Sequence, residues 1–462
     1  MTTMDAHIFE TLERSLDGRV LRPGDGGFAE STFLWNAMIE RTPAAVVRAR
    51  GTADVVAAID FARAQGMPVS VRGGGHNIAG TALADGGVTI DMSLLRSVVV
   101  DADRRLATVE PGCLLGHVDR ATQEHGLATP LGFVSEVGVA GLTLGGGLGY
   151  LTRRFGWAVD NLVEVELVTA DGLVRRASRD ENADLFWAVR GAGANFGAVT
   201  SFTFRLHEVG PTVVGGLVAW PFERADEVLA AYRTLTEEAP RELAVWLLLL
   251  HAPPAPFVPV EWHGRKICAT AVCYSGDLHR ADDALAPIRA IGDPILDLLR
   301  EQPYVEVQSY LDGTEPKGIC HYWRTEFLAR LDEGLLDAMR DVVAESDSPE
   351  AELGILHLGG ALNERDEDDG AVGNRDARYA IGAKAMWAPD DPSGERLPGW
   401  VRNAHERLRP FSTGRTYVNF HGHDEDDERV RATYGPNYDR LVELKRRYDP
   451  ANVFRSNRNI AP

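Results

Sequence analysis

Glycines at 73, 74 and 75 run straight into His76 in the stretch SVRGGGHNIAG, Ser70 to Gly80. Consecutive glycines after a strand turn several backbone N–H groups toward one concave point, and such nests bind phosphate. A histidine at the rim adds a nitrogen able to serve as ligand, base or nucleophile near neutral pH. A histidine beside glycines is equally an ordinary loop residue, and the residues alone leave both readings open. A second loop, GVAGLTLGGGLGYL, carries Gly145, Gly146 and Gly147 into an apparent helix, and a third is VRGAGANFGAVT. Three glycine loops in one region fit a long, multiply phosphorylated ligand, although each alone can be just a turn. None matches a dinucleotide fingerprint. GAGANFG spaces its last glycine one residue too far, no acid follows at the right offset, and no GxxxxGK[ST] occurs.

Elsewhere, HGHDEDDER sets His421 and His423 two residues apart beside Asp424 and Glu425, donors that suit a metal. A charge run of this kind is ordinarily a solvated loop, and no further ligand set completes it, so no metal is expected. In AELGILHLGGAL, period-two alternation puts Leu353, Ile355 and His357 on one strand face.

The elements that position these loops are readable. TADVVAAIDFARAQG reads as a helix capped by Thr52 or Asp54 and stopped at Gly66, followed by a short strand around Val69 and Val71. Val88 to Asp91 reads as a strand. Val98 to Val100 pairs with Leu106 to Val109 as a hairpin. A second hairpin turns at Asp171-Gly172, and Thr200 to Leu206 alternates as a strand. This is an α+β pattern and not regular βαβ repetition. From about 210 to 410 the glycine loops disappear. ERADEVLAAYRTLTEEAP and DEGLLDAMRDVVAES read as amphipathic helices; ELAVWLLLLHA, GRKICATAVCYSG and AELGILHLGGAL read as strands. ALNERDEDDGAVGNRDARY reads as an acidic loop. The tail is a helix stopped by Asp449-Pro450.

The chain has 462 residues, more than one ordinary core accommodates, so two domains are expected. Its formal charge of −20 argues against nucleic acid and anionic membrane partners. The N-terminus lacks the apolar region of a secretory signal, and no apolar run approaches about 18 residues. Cytoplasm is the expected location. Cys113, Cys268, Cys273 and Cys320 make neither a disulfide framework nor a CxxC metal pattern.

Several stretches together resemble one family. VRGGGHNIAG, EPGCLLGHVD, GLATPLGFVSEVGVAGLTLGGGLGYLTRRFGWAVDNLVEVELVTADG, NADLFWAVRGAGANFG and the terminal YDPANVF are similar to the berberine-bridge-enzyme-like branch of the vanillyl-alcohol oxidase superfamily, whose FAD domain is of the PCMH type. The resemblance spans nearly the whole chain. It implies an α+β fold with a two-part FAD-binding domain, residues 1–207 and 415–462, around an inserted α+β substrate domain, residues 208–414, of antiparallel sheet plus helices. It implies FAD bound covalently through His76, with glycine backbone close to the pyrophosphate. By position, the cofactor-binding set is Arg72, Gly73, Gly74, Gly75, His76, Asn77, Gly80, Val137, Gly138, Gly141, Leu142, Gly145, Gly146, Gly147, Gly149, Tyr150, Val199 and Asn457. Many relatives add a cysteinyl link; here that register holds Val134, so a single link is expected, and Cys113 reads as a small buried residue. Val137 falls where relatives control oxygen access, and valine there resembles the oxidase choice.

RTYVNFHGHD resembles the family's strand that faces the flavin. Alternation puts Tyr417 and Asn419 on one face, with Tyr417 the candidate base. The family's substrate strands lie over the flavin, which makes His357 a candidate substrate contact. The implied activity is an FAD-linked oxidase that takes a hydride from an alcohol, amine or activated C–H of a natural-product or alkaloid-like molecule, passing electrons to O₂ to give H₂O₂. The alternatives are a flavin dehydrogenase with another acceptor, an oligosaccharide oxidase, a non-catalytic flavin- or metabolite-binding protein, and a metal-dependent enzyme built on the His421 cluster. Monomer and homodimer are both open.

Overall fold

The computed structural model describes residues 3–462, with side chains from residue 8. Three sheets make up most of it. The first has four strands in the order Arg19–Leu21, Ala45–Arg48, Val88–Asp91, Val69–Arg72. Its central strand is parallel to both neighbours, so the chain must cross over between Ala45–Arg48 and Val69–Arg72. The helix Thr52–Ala64 makes that crossing, with Val55, Ala58, Ile59 and Ala62 fully buried on one face. Gly51, not Thr52 or Asp54, is its N-cap. The Asp54 carboxylate instead accepts from the amides of Asp17 and Arg50, both within 2.8 Å. Gly66 ends the segment in the left-handed region, φ 66°.

The second sheet is antiparallel, in the order Val98–Asp101, Leu106–Val109, Ala198–Arg205, Leu162–Val168, Val174–Ser178. Both expected hairpins are its outer pairs. The third is an antiparallel sheet running Leu296–Asp297, Thr212–Pro221, Lys266–Tyr274, Leu243–His251, Ala351–His357, Tyr379–Trp387, Cys320–Leu328, with Arg300–Pro303 also beside Thr212–Pro221. The helices Ala225–Glu238, Ala281–Arg289, Glu333–Ala344 and Leu397–Leu408 bury their apolar stripes on one of its faces. The opposite face, through Trp246, Leu356 and neighbours, turns toward the glycine loops.

The acidic loop after Ala361 exposes Glu364, Asp366, Asp368 and Asp376 but is tied down by its other charges. Arg375 makes a buried bidentate pair with Asp160 at 2.7 and 2.8 Å, and Glu367 receives the amides of Asn374 and Arg375. The tail returns to the first sheet. Buried Lys445 donates to Asn195 O, Asp449 Oδ2 and Phe454 O at 2.7–3.0 Å, and Asp449 receives the amides of Val453 and Phe454. Among the described residues no helix is long and apolar enough to cross a membrane.

Candidate active site

The strand Val69–Arg72 delivers the glycine run to the wall of a long cavity of about 240 Å³. Among the described residues the amides of Gly74, Gly75, His76 and Asn77 donate to no protein acceptor. They are left to face a ligand, as an anion-binding nest requires. Gly74 and Gly138 meet backbone to backbone: a Cβ on either comes within 2.6 Å of the other's amide nitrogen. Gly141 also lines the cavity, and a Cβ there meets no protein atom within 4 Å, so it would project into the space itself.

His76 sits at one end. Its Nε2 is buried and has no partner. Burial lowers the imidazole pKa to about 4, so the ring is neutral at physiological pH and Nε2 is available as a nucleophile or acceptor. The ring stacks on Trp35 at 4.4 Å, and Trp35 stacks in turn on His321 at 3.6 Å. The Trp35 indole donates to Glu315 O at 2.9 Å. Next to it, Asn36 donates to Ile78 O and His321 O and accepts from the amides of His321 and Met38, tying this end together.

The expected cofactor residues divide into two groups. Gly73, Gly74, Gly75, His76, Asn77, Val137, Gly138, Gly141, Leu142, Gly145, Val199 and Asn457 line the cavity, and the third glycine loop joins them through Gly191, Ala194, Asn195 and Gly197. Arg72, Gly80, Gly146, Gly147, Gly149 and Tyr150 do not, and each has a structural task instead. Arg72 turns back to Asp91 and to Phe33 O. Gly80, φ 64°, packs against Ile39, and Gly149 lies against the carbonyls of Leu131 and Gly132. Gly146 and Gly147 make a left-handed turn between the helix Val139–Leu144 and the short helix Thr152–Phe155, so a helix precedes the glycines as well as following them. Tyr150 stacks on Trp246 at 4.3 Å, away from the cavity.

Tyr417 and Asn419 do come together, though not on a strand. Val418–Phe420 is a 3₁₀ turn. Gly145 leaves room for Asn419, whose side chain would otherwise be struck by a Cβ at 2.1 Å. The Tyr417 hydroxyl accepts from Gly147 N–H at 2.8 Å and from Asn419 Nδ2 at 2.7 Å, while its ring stacks on Trp157. Burial raises its pKa well above the ordinary phenol value. It is therefore a protonated phenol with both lone pairs engaged. Tyr417, the candidate base, is held by Gly147 and Asn419, and its own hydrogen is left free.

His357 is not at the site. The strand Ala351–His357 buries Ala351, Leu353, Ile355 and His357 together, the middle two within the helix-covered core. His357 Nε2 lies 2.5 Å from Arg153 Nη1. It is Gly354 and Leu356 that line a cavity. His421 is likewise buried and bonded to Thr433 Oγ1 at 2.9 Å, while Asp424 pairs with Arg324 at 2.7 Å. Val134 lines the cavity, and Cys113 is buried with a free thiol.

Glu315 was missed. A second cavity of about 110 Å³ opens beside the first, against the third sheet, and Phe133, Glu315, Trp323 and Phe420 line both. Glu315 Oε1 accepts from Lys384 Nζ at 2.6 Å, and Lys384 also pairs with Glu352 at 3.3 Å. Glu315 Oε2 is buried with no partner. In the sequence this residue sits in DGTEPKG; its partners, the Trp35 indole on its carbonyl and Lys384 on its carboxylate, come from distant segments.

A cavity walled by free glycine amides, with a space-facing Gly141 and partnerless polar atoms at His76 Nε2 and Asn457 Oδ1, fits a long cofactor carrying anionic groups. The comparisons agree. Residues 43–178 match the FAD binding domain model, and residues 416–461 match the model described as berberine and berberine like. The chain is 32% identical over 462 residues to (R)-6-hydroxynicotine oxidase of Paenarthrobacter nicotinovorans, covering 97% of each. It is 30% identical to an FAD-linked oxidoreductase of Dictyostelium discoideum, covering 97% of this chain and 95% of that one. The crystal structure of 6-hydroxy-D-nicotine oxidase from Arthrobacter nicotinovorans superposes with a TM-score of 0.86 at 28% identity, over 97% of this chain and 98% of that one. Xylooligosaccharide oxidase from Myceliophthora thermophila shares the fold, with a TM-score of 0.87 at 23% identity over 98% and 99% of the chains. From nest to tail, the chain belongs to the berberine-bridge-like family of FAD-linked oxidoreductases.

Proposed function

We propose that the protein is an FAD-dependent oxidase carrying its flavin on a single covalent bond to His76. It takes a hydride from a small, largely apolar molecule and passes the electrons to O₂ to give H₂O₂. The observation that carries this reading is His76 Nε2: buried, neutral and without a partner at the end of the glycine nest. When bound, FAD supplies the two-electron acceptor and the route of those electrons to oxygen. The chain supplies the rest. Gly74 to Asn77 offer amides to the cofactor's anionic groups, and Gly138, Gly141 and Gly145 keep that wall free of side chains. Trp35 fixes the plane of the His76 ring. Tyr417 holds Gly147 and Asn419 in place and can present its remaining proton to the cavity. Val137, which lines the wall, is assigned to the passage of oxygen, and Val134 leaves no second attachment point.

Residues 1–207 and 415–462 are assigned to holding FAD, and residues 208–414 to holding substrate. The second cavity supports this division, because most of its walls come from the third sheet. Similarity to an enzyme named for hydroxynicotine, at 32% identity, supports a small-molecule substrate over an oligosaccharide. The test is to bleach the flavin with candidate substrates under nitrogen and then admit air. Rapid recovery of colour with one H₂O₂ per substrate oxidised is expected. Recovery only with an added dye acceptor would make the protein a dehydrogenase.

A further inference from the structure

The second cavity has a specific electrical character. Its walls are apolar through Phe133, Trp246, Leu248, Leu356, Ile381 and Phe420. Set into them are two carboxylates and one ammonium, Glu315, Glu352 and Lys384, all with side chains at most 16% exposed. With all three ionised the cluster carries one net negative charge. Its internal bonds use Glu315 Oε1, Glu352 Oε1 and Lys384 Nζ. The threonines are also taken: Thr314 donates to Leu311 O, and Thr325 bonds Thr416. Three lining groups keep an unmade hydrogen bond, the acceptor Glu315 Oε2 and the donors Trp246 Nε1 and Trp323 Nε1. Of these residues, Glu315 and Trp323 also line the first cavity. Buried polar atoms are nearly always paired in folded proteins, so an unpaired carboxylate oxygen on a residue that lines two cavities marks a place for a ligand's donor.

On the reading that this is an FAD oxidase, we propose that its substrate is an apolar amine, bound as a cation whose N–H donates to Glu315 Oε2. A cation restores the charge balance of the cluster, and its apolar body suits the walls. A sugar would bring many hydroxyls to a cavity whose polar groups are mostly engaged with one another. Lys384 sets the register: by holding Oε1 it leaves Oε2 as the oxygen still open to a donor. Burial raises the Glu315 pKa, and the Lys384 ammonium opposes that shift, so an incoming cation completes what Lys384 begins.

The test uses the purified holoenzyme and two ligands that cannot lose hydride, since neither has a hydrogen on the carbon bearing the heteroatom. They are 2-phenylpropan-2-amine, a cation, and 2-phenylpropan-2-ol, its neutral isostere. Xylobiose is the polar control. Calorimetry on wild type is expected to show the amine binding at least tenfold tighter than the alcohol, with xylobiose weakest. Glu315→Gln is expected to bring amine and alcohol within threefold of each other, with flavin content unchanged. An alcohol as tight as the amine, xylobiose as the tightest ligand, or a preference surviving in Glu315→Gln would each overturn the proposal. The wild-type comparison stands even if the variant fails to fold. Because no ligand is turned over, the outcome is separate from peroxide release, which tests the oxidase reading.

Discussion

The imidazole of His76 lies face to face with the indole of Trp35, centroids 4.4 Å apart and planes 19° from parallel. Trp35 is itself fixed by an indole hydrogen bond to the carbonyl of Glu315, 280 positions away in sequence. One aromatic ring thus links the cofactor nest to the carboxylate of the second cavity. The histidine's aim is set by tertiary packing, because a loop of three glycines cannot hold it alone.

Trp35→Ala should loosen both ends of that link. Loss of a buried tryptophan costs about 3–5 kcal/mol, and the freed His76 ring should attach flavin incompletely. Urea unfolding and the fraction of flavin retained after acid precipitation would show this. Trp35→Phe keeps the stack but strands the Glu315 carbonyl, so a loss of about 1–3 kcal/mol is expected with near-normal attachment.

Tyr417→Phe separates an anchor from a base. Removing the hydroxyl leaves Gly147 N–H and one hydrogen of Asn419 Nδ2 without an acceptor, the other still donating to Leu142 O, a cost of about 1–3 kcal/mol. The rate of flavin reduction should fall less than tenfold. A fall of about 100-fold or more, with loss of a pH dependence seen in wild type, would restore Tyr417 as the base.

Gly138→Ala tests the contact between the two glycine segments. Its Cβ would stand 2.4 Å from Gly74 N, so one backbone must move. Overpacking of this kind costs about 1–3 kcal/mol. Flavin content should drop with it, because the nest at Gly74 to Asn77 is displaced. Gly141→Ala meets no protein atom within 4 Å. It should leave stability of the apoprotein unchanged and weaken only cofactor uptake.

Asp119 gives a pH dependence with a definite sign. Burial raises its pKa to about 7, and Gln308 Nε2 donates to its Oδ2 at 3.2 Å. The folded state therefore holds a proton that the unfolded chain has lost above about pH 4. Stability from this group is fully present below that pH and declines as pH rises to about 7, by about 1.4 kcal/mol per unit. Asp119→Asn keeps the Gln308 bond and removes the titration. The difference in unfolding free energy between variant and wild type should rise from pH 5 to pH 7 and then level off.

The parts of the site legible in the sequence were those made by local backbone chemistry. The glycine nest, both hairpins and the helix Thr52–Ala64 follow from residue type and spacing over a few positions. Strand alternation correctly grouped Leu353, Ile355 and His357, yet it could not say which face the helices would cover, and they cover that one. The Tyr417 segment resembles a family strand on which alternation would put Tyr417 and Asn419 on one face. In the fold, the space left by Gly145 and the Gly147 amide draw Asn419 and Tyr417 into a 3₁₀ turn instead. Glu315 and Lys384 lie in different elements, 69 positions apart, and nothing near either residue announces the pair.

The most direct test is to denature the purified protein in acid, remove small molecules, and measure protein mass and flavin absorbance beside His76→Ala. Wild type should keep its yellow colour and the mass of one FAD, while the variant loses both. Flavin that washes away from wild type, or that stays equally with the variant, would contradict the assignment of His76.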